Sequence, residues 1–427
     1  MMTRYRAPRL LQPGHPLHGQ PVDVAVEDGR IVSIGAASSG SKGADDHLLS
    51  NCWISSGWWD GQVDFRDPGT ERAEGLAQGL KAAVQGGFTR VAPVASTRPC
   101  RDQPAEVLAL LHRTSNAICG VLPVAALSTG CQGDQLTEAY ALKNAGARAF
   151  SDDAPIARPE LLRRALEYHQ TTGLSVFSEA IDPDFQPDGV MHEGAMSTAL
   201  GLPGNSSESE LLRIARELDI LSYAGGRLHF PVVTTAAGLE AILAAKQKGL
   251  QVTCGTTVHH LCWTDEDLNG FNSAMKLSPP LRSKDDRFAL REAVLNGVVD
   301  LVVSDHRPRT PEEHDVDFIV VKPGVAGIHA VGPALLGALT DHGATIDEAL
   351  TALHGVLVTG PRKVYAASEA EMGLVEGQPA EFTVFSTNET RIPKSASRAP
   401  NTLCTPDTAH MLGQVVGVVT TRGSHWN

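Results

Sequence analysis

From Trp58 onward the sequence repeats one pattern, a short apolar run of strand character followed by a helical stretch. The strand-like runs fall near 59–64, 88–94, 119–125, 148–151, 174–178, 228–233, 250–256 and 299–304. Helical periodicity occupies intervals such as 71–85, 160–170, 207–218, 236–248 and 285–295. Eight strand-then-helix units in about 250 residues are what a closed parallel barrel with an outer ring of helices requires. The pattern therefore predicts an α/β protein built on a (β/α)8 TIM-type barrel over 58–365.

The two ends read differently. Residues 20–57 suggest short strands, and the run Asp23 to Gly35 alternates around an Asp28-Gly29 hairpin signal. After about residue 370 the pattern returns to β, at 372–378, 381–386 and 415–422. These segments predict a small β-sandwich built from 1–57 and 366–427 together. Ser38–Lys42 is the one low-complexity patch and reads as a surface loop.

Composition narrows the function classes. A net charge of −13 over 427 residues argues against nucleic acid and anionic membrane surfaces as partners. No run approaches the roughly 20 apolar residues of a membrane span. Arg4, Arg6, Pro8, Arg9 and Pro13 interrupt any secretory apolar core at the N-terminus. Seven cysteines without paired spacing read as reduced thiols, and so as a cytoplasmic protein. Cys254 and Cys262 flank His259-His260, but the second cysteine pair of a structural zinc site is missing.

In such a barrel the chemistry sits at the C-terminal ends of the strands. Strand 1 runs through Gly61-Gln62-Val63-Asp64-Phe65-Arg66-Asp67-Pro68-Gly69, and strand 2, opened by Gly86-Gly87-Phe88-Thr89, runs into Ser96-Thr97-Arg98-Pro99. Strand 4 gives Phe150-Ser151-Asp152-Asp153, and strand 5 ends at Ser178. Strand 6 reads His229-Phe230-Pro231-Val232-Val233-Thr234-Thr235, and strand 8 closes with Asp305-His306-Arg307-Pro308-Arg309. Loops add Leu200-Gly201-Leu202-Pro203-Gly204 and Lys276-Leu277-Ser278-Pro279-Pro280-Leu281-Arg282. From about Val22 to Gly423 this set resembles the dihydroorotase family of the amidohydrolase superfamily, whose barrel-plus-sandwich plan agrees with the pattern above.

The resemblance also shows what is missing. The family carries His-x-His on strand 1, where this chain has Gln62 and Asp64. Its ligand histidines on strands 5 and 6 correspond to Ser178 and Val232. A β-branched apolar residue coordinates nothing, so Val232 is decisive. Two substrate-binding asparagines correspond to Ser96 and Ser278, and the final histidine of Asp-His-Ala-Pro-His is Arg309. Arg66, which in relatives grips the substrate carboxylate, remains. So do Asp305, the family's general acid/base, and Asp153, which lies at or beside the metal. His192 belongs to a loop, His229 is not the relatives' ligand, and His259 and His260, read as strand neighbours, face opposite ways.

Hydrolysing an unactivated cyclic amide calls for a metal-bound hydroxide and a Lewis acid, and imidazoles suit zinc. With all four ligand histidines replaced, no metal, no cofactor and no catalytic residue is expected. Asp305 and Asp153 would be vestigial catalytic groups, and Arg66, Ser96, Ser278 and Arg309 vestigial substrate contacts. Asp64, Asp153 and Asp305 cannot all stay charged at close range without compensation. Arg307 or Arg309 is expected to supply the positive charge; an oxygen-rich Mg²⁺ or Mn²⁺ site is the competing arrangement. The resemblance further implies an inactive dihydroorotase-like subunit that partners aspartate carbamoyltransferase, as a homo-oligomer and hetero-oligomer. The alternatives are an active cyclic amidohydrolase of dihydroorotase, hydantoinase or allantoinase type with a remodelled metal site, and a pocket kept for ligand sensing.

Overall fold

The structure, a computed structural model, describes residues 2–37, 46–388, 397, 399 and 410–427. The Ser38–Lys42 patch lies outside the described residues. The N-terminal segment forms β1 (Met2–Leu11), β2 (Pro21–Glu27), β3 (Arg30–Ala36), β4 (Asp46–Leu48) and β5 (Trp53–Ser56). β2 and β3 are the expected hairpin. Asp28 (φ 48°) and Gly29 (φ 73°) both take positive φ at its turn, as a type I′ connection requires.

The barrel strands follow: β6 (Trp58–Val63), β7 (Phe88–Pro93), β8 (Gly120–Val121) with β9 (Val124–Ala125), β10 (Ala149–Phe150) and β11 (Ser175–Phe177). Two short strands, β12 (Met191–His192) and β13 (Gly204–Asn205), pair within the connection that follows. The barrel continues through β14 (Leu228–Phe230), β15 (Val252–Thr257) and β16 (Leu301–Val303), with every neighbouring pair parallel. Leu122 N–H donates to Val91 O and Arg148 N–H to Pro123 O, so β8 and β9 serve as one barrel strand. The ring closes where Val63 bridges His306 and Asp64 N–H donates to His306 O at 2.8 Å. The eight positions are those of the eight apolar runs. Trp59, Phe177, Val232, Leu301, Val303 and Tyr365 pack together as the barrel's inner core, while a larger core lies between strands and helices.

The chain then returns to the first domain. β17 (Phe382–Ser386), β18 (Gln414–Thr420) and β19 (Gly423–Trp426) complete an eight-stranded sheet in the order β19-β18-β17-β5-β1-β2-β3, with β4 also on β1. Tyr5, Val24, Ile31, Ile54, Phe382 and Val384 are among the side chains that give it a core of its own. Glu381 ties this sheet to the barrel. It accepts hydrogen bonds from Trp59 Nε1 (2.8 Å), Thr89 Oγ1 (2.9 Å) and the Arg90 guanidinium (2.8 Å).

Two local expectations change, and one strand lies outside the sequence pattern. Residues 372–378 make turns instead of a strand. Gly377, at φ 82°, donates to Ile31 O at 2.7 Å and docks the segment on the start of β3. β1 hides from period-two reading because its register shifts between Arg6 and Arg9, with Ala7 at φ 62°. His259 and His260 lie on a short helix, Val258–Cys262, and not on strand 7. Among the described residues no helix is long and apolar enough to cross a membrane.

Candidate functional site

Gln62, Ser96, Asp153, Asp305 and Arg307 meet in one hydrogen-bonded group at the C-terminal mouth of the barrel. Arg66 (φ 60°), Asp153 (φ 53°) and Asp305 (φ 42°) take left-handed backbone conformations just past their strands. Such conformations persist only where the surroundings fix them.

Arg307 occupies the centre. Its Nη1 and Nη2 donate to the two oxygens of Asp153 at 3.0 and 2.6 Å, and its Nε donates to Asp305 Oδ1 at 2.7 Å. Asp305 Oδ1 also accepts from Gln62 Nε2 at 3.0 Å, and Asp153 Oδ2 from Ser96 Oγ at 2.6 Å. Burial alone would raise the Asp153 carboxyl, but the Arg307 charge and these hydrogen bonds outweigh it and hold the group below its ordinary range. Burial opposes the Arg307 charge in turn. Asp153 and Asp305 outweigh that too and raise the guanidinium well above its usual value. Arg309, the other candidate for this role, donates instead through Nε to Pro323 O at 3.0 Å. Burial and repulsion from Arg66 lower it to about 10.

Asp64 does not join the carboxylate pair. It accepts from Arg66 N–H at 2.8 Å and pairs with the Arg66 guanidinium at 3.0 Å, while Arg66 Nε reaches Pro308 O at 3.3 Å. Of the aspartate pair on strand 4, Asp152 is structural: it accepts from Ser128 N–H (2.9 Å) and Oγ (2.5 Å). Ser178 donates to the buried Glu217 at 3.0 Å. Val232 belongs to the inner core. His229 bonds Thr253 Oγ1 (2.9 Å), His259 the Ser304 carbonyl (3.0 Å) and His260 the Pro280 carbonyl (3.2 Å). Burial lowers these three imidazoles to about 3, 4 and 3. They are satisfied core residues.

Zinc therefore does not fit these residues. The four relevant positions offer an amide, an ion-paired carboxylate, a hydroxyl and an isopropyl group, and a guanidinium lies between Asp153 and Asp305. A hard cation held by Asp64, Asp153 and Asp305 meets the same obstacle, since each carboxylate already faces an arginine. Among the described residues no group of three or more His, Cys, Asp or Glu side chains is placed to hold a metal ion.

Sequence reading missed two carboxylates. Glu179, directly after Ser178, lines a cavity of about 260 Å³ with Asp153, Ser278, Asp305, Arg307 and Arg309. Its Oε1 is buried without a hydrogen-bond partner, and burial, with the Asp153 charge second, raises its carboxyl to about 8. An acidic residue at the end of strand 5 was the available signal. Glu74 bonds the fully buried His306 Nε2 at 2.7 Å. It lies in the loop after strand 1, where no pattern marked it.

Residues 54–237 match the family model described as dihydro-orotase-like. The dihydroorotase of Anaeromyxobacter dehalogenans is 37% identical over 366 residues, covering 85% of this chain and 83% of that protein. That of Syntrophotalea carbinolica is 34% identical over 380 residues, covering 88% and 87%. Among solved structures, the L-hydantoinase of Arthrobacter aurescens superposes with a TM-score of 0.83 at 19% identity, covering 99% of this chain and 96% of that one. The dihydropyrimidinase of Brevibacillus agri gives 0.81 at 19% identity, covering 99% and 95%. Those structures share the fold; the sequence relatives define the lineage, and the chain belongs to the dihydroorotase family of the amidohydrolase superfamily.

Proposed function

We propose that this protein is a non-catalytic member of its family, a cytoplasmic barrel subunit that assembles with aspartate carbamoyltransferase in pyrimidine synthesis. The observation that carries the first half is the Arg307 bridge between Asp153 and Asp305. A fixed guanidinium neutralises the carboxylates, but it has no open coordination position and generates no hydroxide at neutral pH. The surrounding framework is intact, which fits a subunit kept for its shape. The partner rests on the family resemblance.

Gel filtration with light scattering on a mixture of the purified chain and the same organism's aspartate carbamoyltransferase tests the pairing. A mixed complex supports it, and two unshifted peaks remove it. A parallel assay of dihydroorotate hydrolysis, with added Zn²⁺ or Mn²⁺, tests the absence of catalysis. Turnover lost in Asp305→Ala would replace this reading with that of an active cyclic amidohydrolase.

A further inference from the structure

The seven cysteines carry no paired spacing in the sequence, yet the fold brings two of them together. Cys100 follows strand 2 and Cys131 follows strand 3, and their thiols are hydrogen-bonded to each other. Each thiol also meets a carboxylate, Cys100 that of Asp102 and Cys131 that of Asp152. Both residues are half-buried against the barrel's inner core, and so open to a small solute, whereas Cys119 and Cys254 are buried.

The backbone holds this juxtaposition from both sides. Ala126 N–H donates to Arg101 O at 2.8 Å, and Gly130 N–H donates to Asp102 Oδ2 at 2.8 Å, so the two loops are fastened next to each cysteine. The buried Arg101 guanidinium clamps the strand ends, donating through Nη1 to Pro93 O and Val94 O at 3.1 Å and to Val124 O at 2.8 Å. Cys131 sits at φ 54°, a left-handed conformation that its N–H bond to Ser128 O at 3.0 Å helps to fix. A disulfide needs its sulfurs about 2.05 Å apart. Thiols already in contact on fastened loops reach that distance with little movement of the chain.

We propose that Cys100 and Cys131 are an oxidisable dithiol, which a hydroperoxide closes into a disulfide across the loops after strands 2 and 3. Burial and then the Asp102 charge raise the Cys100 thiol, and burial and then the Asp152 charge raise that of Cys131. The contact between the two works in opposite senses, lowering Cys100 and raising Cys131, which makes Cys100 the first to ionise. Its thiolate attacks one peroxide oxygen; the O–O bond breaks, a sulfenic acid forms and one water leaves. The Cys131 sulfur then displaces the sulfenic hydroxyl, the S–S bond forms and a second water leaves. Two thiol protons and two electrons thus pass to one hydrogen peroxide, which becomes two waters. Because both thiols are raised, thiolate is scarce at neutral pH and closure takes sustained exposure to the oxidant. The bridge would tie the loop of Ser96, which donates to Asp153, to that of Ser128, which donates to Asp152. Closure requires neither turnover nor a protein partner, and so stands apart from the subunit role.

In the test, the full chain is reduced, freed of reductant and held in excess hydrogen peroxide. Its remaining thiols are then alkylated, and the digest is mapped by mass spectrometry. A linked Cys100–Cys131 peptide that dithiothreitol releases is expected, and it is lost in Cys100→Ser and in Cys131→Ser. Cys131→Ser should leave on Cys100 a sulfenic acid that dimedone traps. A thermal melt verifies that each variant folds, and the wild-type map decides by itself if one does not. The proposal falls if the folded wild-type chain gives no linked peptide, if either cysteine is bridged chiefly to another, or if the link appears only after unfolding in urea.

Discussion

A guanidinium held by two carboxylates is both a bond and a dependence. Removing Arg307 leaves Asp153 and Asp305 facing each other with no counter-charge, and breaking such a buried arrangement costs about 3–5 kcal/mol. Arg307→Ala is expected to lower stability by roughly that amount in urea unfolding, with Arg307→Lys in between. The pH dependence follows from Asp153, whose carboxyl lies below its ordinary range. Its contribution is full above the unfolded value near pH 4 and is lost as pH falls through the lower folded value, so the wild-type advantage should shrink below about pH 4. Glu179 behaves in the opposite sense. Its carboxyl is raised to about 8 from 4.5, so wild-type stability declines as pH rises through that interval. Glu179→Gln should therefore raise the melting temperature more at pH 8 than at pH 5; equal gains in calorimetry at both values would contradict the assignment. At this scale the departures from the family motif were legible because each fell on a motif position, and the Val232 side chain offers no atom for coordination. Which arginine bridges Asp153 and Asp305 was not legible: Arg307 and Arg309 are two residues apart, and only the loop geometry sets Arg307 on the carboxylates and Arg309 on the Pro323 carbonyl.

Helices and strands show the same division at the next scale. The helix expected over 236–248 forms at Ala236–Gln247, and the one over 285–295 at Lys284–Leu295, each opened by a hydroxyl N-cap: Thr235 accepts from Gly238 N–H and Ser283 from Asp286 N–H. The start of the first is also held from elsewhere in the sequence. Glu210, on the helix Ser207–Ala224, accepts from Thr234 N–H (3.0 Å), Thr235 N–H (2.9 Å) and both hydroxyls (2.5 and 2.7 Å). This buried carboxylate pins the loop that carries Val232. Glu210→Ala should cost about 2–4 kcal/mol in chemical unfolding, while an exposed neighbour such as Glu208→Ala should cost under about 1 kcal/mol. No sequence pattern announces such a clamp, since its partners lie 24 and 25 positions away. The bulged β1 escaped for a related reason, as its pairing partners and not its own periodicity decide where it bends.

For the whole molecule, barrel and terminal sheet meet at a charged joint. Glu371 pairs with Arg90 and Arg148, and Glu381 with Arg90. Burial works against the Glu371 carboxylate, yet these arginines and backbone bonds hold it at about 2. Glu381→Ala is expected to destabilise the chain and to split one calorimetric transition into two as the domains uncouple; a single, merely shifted transition would count against that joint. The two-ended sheet was legible in outline from the return of β patterning after residue 370. Its strand order was not, because the pairing of β5 with β17 joins residues distant in sequence. Two residues past β5, Trp58 N–H and the Thr383 hydroxyl it bonds are separated by 325 positions. On a ribosome adding about 5–20 residues per second, that interval is roughly 16–65 s. Throughout it, β5 presents a bare edge while the barrel emerges between it and its partner. The nascent chain therefore passes through a stage with a nearly complete barrel and an open sheet, and chaperones or neighbouring chains meet it in that form before the finished protein exists.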